Sequence, residues 1–273
     1  MRLWIAWPIS LLIALWLCGA AANAPDAAAE LLRLSGVESQ MLTVRPQILN
    51  GLESAEFGLG QEDLDRLQGV INQQFADAAL REQSLGILRD RWDETHSRAA
   101  LDWLNGELGR RITALEEYAS TTEGAVEMQG FAAELQAAPP RPGRVELLDR
   151  LNRAFDGTRM AVDTTMAMAL AVAVAANAAG PEEQQLDGST LRERIEAGRG
   201  LMTQQMQQVL VVYYLFTYHD LQDEEIARYA DFLESDAGDW YVDALSAAYL
   251  QPVVTRSLSL SAAIEKTGDT RAN

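Results

Sequence analysis

The chain has 273 residues, 48% hydrophobic and 23% charged, which is the composition of a globular protein rather than a disordered one. Lys and Arg number 22 against 40 Asp and Glu, a net charge of −18. That balance excludes nucleic acid as the main partner, because phosphate binding needs clustered positive charge, and it disfavours docking on anionic lipid head groups.

The N-terminal segment reads as a secretory signal. Arg2 supplies a positive charge, Leu3 to Leu17 is apolar apart from Pro8 and Ser10, and mostly small residues run from Gly19 to Ala24. Cleavage after Ala20-Ala21-Ala22 makes residues 1–22 the signal peptide, whereas cleavage after Ala24 would leave Pro25 first. Cys18 follows Leu17 rather than a small residue, which argues against a lipid anchor. Retention as an uncleaved membrane segment is the remaining alternative. Cys18 is the sole cysteine, so the exported chain has no disulfide, thiolate or cysteine-bound metal. An acidic, cysteine-free domain behind such a signal suits a bacterial periplasm.

Past the signal the periodicity is helical. Leu108, Ile112, Leu115 and Ala119 share one helix face, as do Met128, Phe131, Ala132 and Leu135, and Ile226, Tyr229, Ala230 and Leu233. Pro139, Pro140 and Pro142 break the pattern, and Gly180-Pro181 opens a second break running to Ser189. Pro46 and Pro252 sit inside helical stretches, where a kink or a helix end is expected. Gly198-Arg199-Gly200 falls in a polar helical stretch with no strand before it, so it is not a phosphate loop. The expected fold is all-α.

The two sides of the proline cluster resemble each other. Glu30-Leu31-Leu32 parallels Glu146-Leu147-Leu148, and Asp102-Trp103-Leu104 with Gly109 parallels Asp231-Phe232-Leu233 with Gly238. The offset grows along the chain, as one insertion near Pro181 to Ser189 would cause. The organisation read from this is a first helical repeat at 23–138, a proline-rich linker at 139–144, a second repeat at 145–267 and a tail at 268–273. Each repeat carries a helical hairpin whose corner is formed by Gly109 in one copy, and by Ser235 and Gly238 in the other.

The stretch from Leu101-Asp102-Trp103-Leu104 to Gly109-Arg110-Arg111-Ile112 resembles the helical repeat of a bacterial envelope family catalogued as domain of unknown function 2059. Asp223-Glu224-Glu225-Ile226, leading to Phe232-Leu233-Glu234-Ser235 and Gly238, resembles it a second time. Where that family has a Ser-Pro-x-Gly corner, Glu107 and Asp236 replace the proline here. The resemblance implies an exported helical protein and brings no catalytic residue, cofactor or ligand.

Chemistry-bearing motifs are sparse. His96 and His219, each beside acids, are weak candidates for a shared metal, but their spacing matches no metal signature. Adjacent acids such as Glu116-Glu117 point about 100° apart on a helix and read as solvated faces. The segment Met160 to Ala179 contains an apolar run from Met166 to Ala176, too short to span a bilayer and expected as a buried central helix. It also offers a pocket wall, with Met166 and Met168 facing Met202, Met206 and Tyr213/Tyr214. The leading expectation is therefore a non-catalytic module, without a cofactor, that binds a protein partner in the envelope. The alternatives are a carrier or sensor of an apolar small molecule, and a metal-dependent hydrolase built on His96 and His219.

Overall fold

The computed structural model describes residues 24–54, 60–180 and 182–269, which form helices and turns with no strand among them. In chain order they are α1 (Ala24–Leu34), α2 (Val37–Ser54), α3 (Gln61–Gln74), α4 (Asp77–Asp90), α5 (Glu94–Asn105), α6 (Glu107–Ala119), α7 (Thr122–Ala137), α8 (Pro142–Ala154), α9 (Gly157–Ala179), α10 (Gly188–Glu196), α11 (Arg199–Thr217), α12 (Asp223–Leu233) and α13 (Asp236–Asp269). A single 3-10 turn at Glu182–Gln184 lies between α9 and α10. The fold is all-α. The signal segment at 1–22 and Pro181 lie outside the described residues.

Side-chain caps set several helix starts. Asp93 accepts from the backbone N–H groups of Thr95 and His96, Thr121 from Gly124, and Asp187 from Ser189 and Thr190. Ser235 Oγ accepts from Gly238 N, capping α13. Other boundaries depart from the sequence reading. Pro142 is not linker but the first residue of α8, where its missing N–H leaves no bond unmade. Pro46 and Pro252 end neither α2 nor α13, because burial of the surrounding face outweighs one lost backbone bond. Gly198-Arg199-Gly200 is not mid-helix; it marks the turn from α10 into α11.

Two helices organise the core. α9 packs along α13 and also touches α2, α3, α8, α10 and α11. The small buried residues Ala167 and Ala171 of α9 leave room for a close approach of the two helices on that side. Ser257 Oγ is buried between them and donates to the carbonyl of Ala167. α9 has 23 residues and is long and apolar enough to cross a membrane, unlike the short run anticipated from the sequence. Here it is a core helix, and Asp163 on its flank is paired to Arg199 at 2.6 Å.

α13 also reaches over α3, α4 and α5. Arg256 secures that crossing by donating to the carbonyls of Gln74 (2.6 Å) and Ala79 (3.2 Å) and to Gln83. Trp240 Nε1 donates to Arg91 O, and its ring meets Trp92 edge-on. Trp103 of α5 stacks on Phe232 of α12 with centroids 4.6 Å apart and planes 5° from parallel.

The corners between α5 and α6 and between α12 and α13 depend on close backbone approach. A Cβ on Gly109 would sit 2.2 Å from the Trp103 carbonyl oxygen, and one on Gly238 2.0 Å from that of Phe232. Gly86, mid-helix in α4, has open space instead. Gly109→Ala and Gly238→Ala are each expected to destabilise by about 2–3 kcal/mol, as over-packing against rigid backbone does. Gly86→Ala should instead stabilise by about 0.5–1 kcal/mol through helix propensity. Denaturant unfolding of the three variants checks this ordering.

Candidate ligand site

A cavity of ≈ 300 Å³ opens where α6 faces α9, α11, α12 and α13, within the size range of small-molecule sites. α9 contributes its first turns, through Gly157, Met160, Ala161, Thr164 and Thr165. α11 contributes Leu210, Tyr213 and Tyr214, with Tyr218 just beyond its end. Tyr229 and Leu233 come from α12, Tyr249 from α13, and Leu151 and Phe155 from the end of α8. Only Glu116 of α6 and Gln40 of α2 come from the chain before the proline cluster.

Glu116 is the chemical centre of this wall. Tyr218 and Tyr229 both donate to its Oε1, at 2.6 and 3.2 Å. Oε2 receives no hydrogen bond from the described residues, and the side chain lines the cavity. Burial pushes the carboxyl up to about 7, and the two phenol hydrogen bonds oppose that rise without cancelling it. The phenols respond in turn. Burial, then the nearby Glu116 charge, hold Tyr218 and Tyr229 well above the usual phenol range, so both stay protonated donors.

The surrounding contacts fix these groups. Arg144 is nearly buried and donates to the carbonyls of Tyr218 (2.5 Å) and Leu221 (2.9 Å) while pairing with Asp223 at 2.6 Å. Arg111 spans from α6 to Glu225 and to the carbonyl of Asp220. The two arginines brace the turn that presents Tyr218 to Glu116. Tyr214 donates to Asn152 Oδ1 at 3.3 Å, and Gly157 leaves room for this: its Cβ would lie 2.1 Å from the Tyr214 hydroxyl.

The residues expected from the sequence fall differently. Of the expected pocket residues Tyr213 and Tyr214 line this cavity, and the four methionines do not. The cavity lies beside Met160 and Ala161 rather than beside Met166 and Met168. Met166 is core, Met168 packs on it, and Met202 and Met206 are half-buried on α11. The reason is local: Met166 falls on the α9 face that closes on its neighbours, whereas Ala161 and Thr164 are short side chains that leave the cavity open. Glu116 is the opposite correction, since it was read as a solvated acid. It stands four residues after buried Ile112 and three before buried Ala119, on the edge of the apolar stripe, and that spacing was the available signal. A second signal was compositional, because six of the seven tyrosines lie between Tyr213 and Tyr249.

His96 is held by Asp93 at the start of α5, and His219 Nδ1 lies 2.6 Å from the Phe216 carbonyl past the end of α11. Among the described residues no three His, Asp or Glu side chains gather as a metal site. Gly109, Ser235 and Gly238 serve the helix corners and stand outside the cavity wall. Comparison of the chain with protein-family models, curated proteins and solved structures finds no match.

The Glu116 carboxyl sets a pH dependence with a defined sign. Unfolded, it ionises at its ordinary 4.5, and folded at about 7, so the folded state binds the extra proton between these values. Below 4.5 it is neutral in both states and has no effect. The destabilisation grows from 4.5 to 7 and is complete above, at about 3 kcal/mol. Glu116→Gln lacks this titration, so its stability relative to the parent should rise across pH 4.5–7 and level off beyond. Urea unfolding of both proteins at pH 4, 6 and 8 measures it, and a pH-independent difference would contradict the assignment.

Proposed function

We propose that this protein is an exported carrier or sensor of a small, largely apolar molecule held in the cavity around Glu116. The observation that carries this reading is the cavity itself. Small-molecule sites are concave and mostly apolar, with a few placed polar groups. Here ≈ 300 Å³ is left open among aromatic side chains, with one carboxyl on its wall. A bound molecule would fill that space. The two hydroxyls paired with the Glu116 carboxyl are phenols held well above their usual range, hence poor nucleophiles, and Thr165 Oγ1 donates to the Ala161 carbonyl instead. Binding is thus favoured over catalysis. The partner-module reading rests on the helical repeats, the lack of a recognisable catalytic constellation and the acidic charge, none of which points to a particular partner.

The reading extends to the origin of the site. α1 contacts α2, α4 and α5, and α8 contacts α9, α11 and α12; α2 touches α3 and α4, and α9 touches α10 and α11. The only left-handed residues among those described, Gly36 (φ 74°) and Asp156 (φ 50°), each stand immediately before the second helix of such a set. These correspondences support two copies of a six-helix unit, larger than the hairpin inferred from sequence, with α7 between them. They pair Leu34 with Ala154, and the helix lengths then differ at several places rather than by one insertion. The cavity lies at the seam.

Native mass spectrometry of the protein purified from its own cell envelope tests the carrier reading. A retained mass of a few hundred daltons is expected, and it should be lost in Ala161→Phe, which fills the cavity. A bare chain from the parent protein, or a retained mass unaffected by Ala161→Phe, would overturn it.

A further inference from the structure

We infer that the ligand is a protonated amine with an apolar or aromatic body, its ammonium group seated on Glu116 Oε2 and against the surrounding tyrosine rings. The inference rests on the carrier reading and deepens it. Buried carboxylates are normally paired with a cation or a metal. Glu116 is half-buried on the cavity wall, and no Lys, Arg or His lines the cavity beside it. The titratable groups that bear on it are Glu117 on its own helix, Tyr213, Tyr214 and Tyr218 at α11, Tyr229 on α12 and Tyr241 on α13. Gln40 of α2 is the uncharged member of the wall. All of these are neutral or negative at physiological pH, so a cation paired with the ionised carboxylate has to come from outside the chain.

The geometry fits such a guest. Both tyrosine hydroxyls spend their protons on Oε1, which orients the carboxylate and leaves Oε2 for an N–H donor. The ring pairs Tyr213–Tyr214 and Tyr218–Tyr229 meet edge to face, with centroids 5.6 and 6.4 Å apart, and Tyr214 and Tyr218 are stacked. Phenol faces carry negative charge density and attract ammonium groups, the chemistry of aromatic cages. The net charge of −18 favours arrival of cations over anions.

Three probes of nearly equal size separate the possibilities: 2-phenylethylamine, 2-phenylethanol and phenylacetate, titrated calorimetrically into the purified full chain at pH 8. The amine is expected to bind at least tenfold more tightly than the alcohol, with phenylacetate weakest. Glu116→Gln should weaken the amine at least tenfold more than it weakens the alcohol. The parent protein gives a variant-free check. The amine stays protonated throughout, so its affinity should fall about tenfold per pH unit below 7 as Glu116 takes up a proton, while that of the alcohol stays flat. If the alcohol matches the amine, or the amine affinity is flat in pH, the ammonium assignment fails and the carrier reading stands. If none of the three binds, the ammonium assignment also fails, and the carrier reading is decided by the retained mass and its loss in Ala161→Phe.

Discussion

The close packing of α9 on α13 is the contact on which the remainder of the molecule depends. On the α9 side it is built from alanines, and small side chains allow two backbones to approach until serine bridges them, as Ser257 does to Ala167. Each helix then has other faces free to carry neighbours. α9 holds α2, α10 and α11, while α13 holds α3, α4 and α5. The long crossing therefore joins the chain before the proline cluster to the chain after it. Loosening it would separate Glu116 from the tyrosines, since the carboxyl comes from one side and the phenols from the other.

Against that constraint, Glu116 is a place where the protein gives up stability. A leucine there would pack the cavity wall without a desolvated charge, yet the chain positions two phenols to hold a carboxyl instead. Arg144 and Arg111, the arginines that brace this wall, do not neutralise it. Both are turned to backbone carbonyls and to Asp223 and Glu225, where they hold the α11–α12 turn. Local groups that break the ordinary pairing rule in a cavity are the arrangement expected of a site that waits for a guest.

The fold class was legible in the sequence because amphipathic stripes such as Ile226, Tyr229, Ala230 and Leu233 report burial directly, and all four are buried. The corner residues were legible too, since Gly238 and Ser235 act within a few residues of one another. The site was not. Its members come from α2, α6, α8, α9, α11, α12 and α13, and no local pattern encodes which helix faces which. Methionines drew attention as adaptable pocket residues, but Met166 went to the core because the α9 face it occupies is the one the neighbours cover. Glu116 was masked by Glu117 beside it, as a paired acid on a helix ordinarily marks a wet surface.

The reach of α13 has a consequence for how the chain comes to its structure. Arg256 grips Gln74, a partner 182 residues earlier, and Trp240 closes on Arg91. The layer formed by α3, α4 and α5 thus lacks one wall until the last helix has been made. Such long sequence separations slow folding and leave apolar surface uncovered in the meantime. The chain cannot lock itself shut from its beginning, and it stays pliable until synthesis reaches the end of α13.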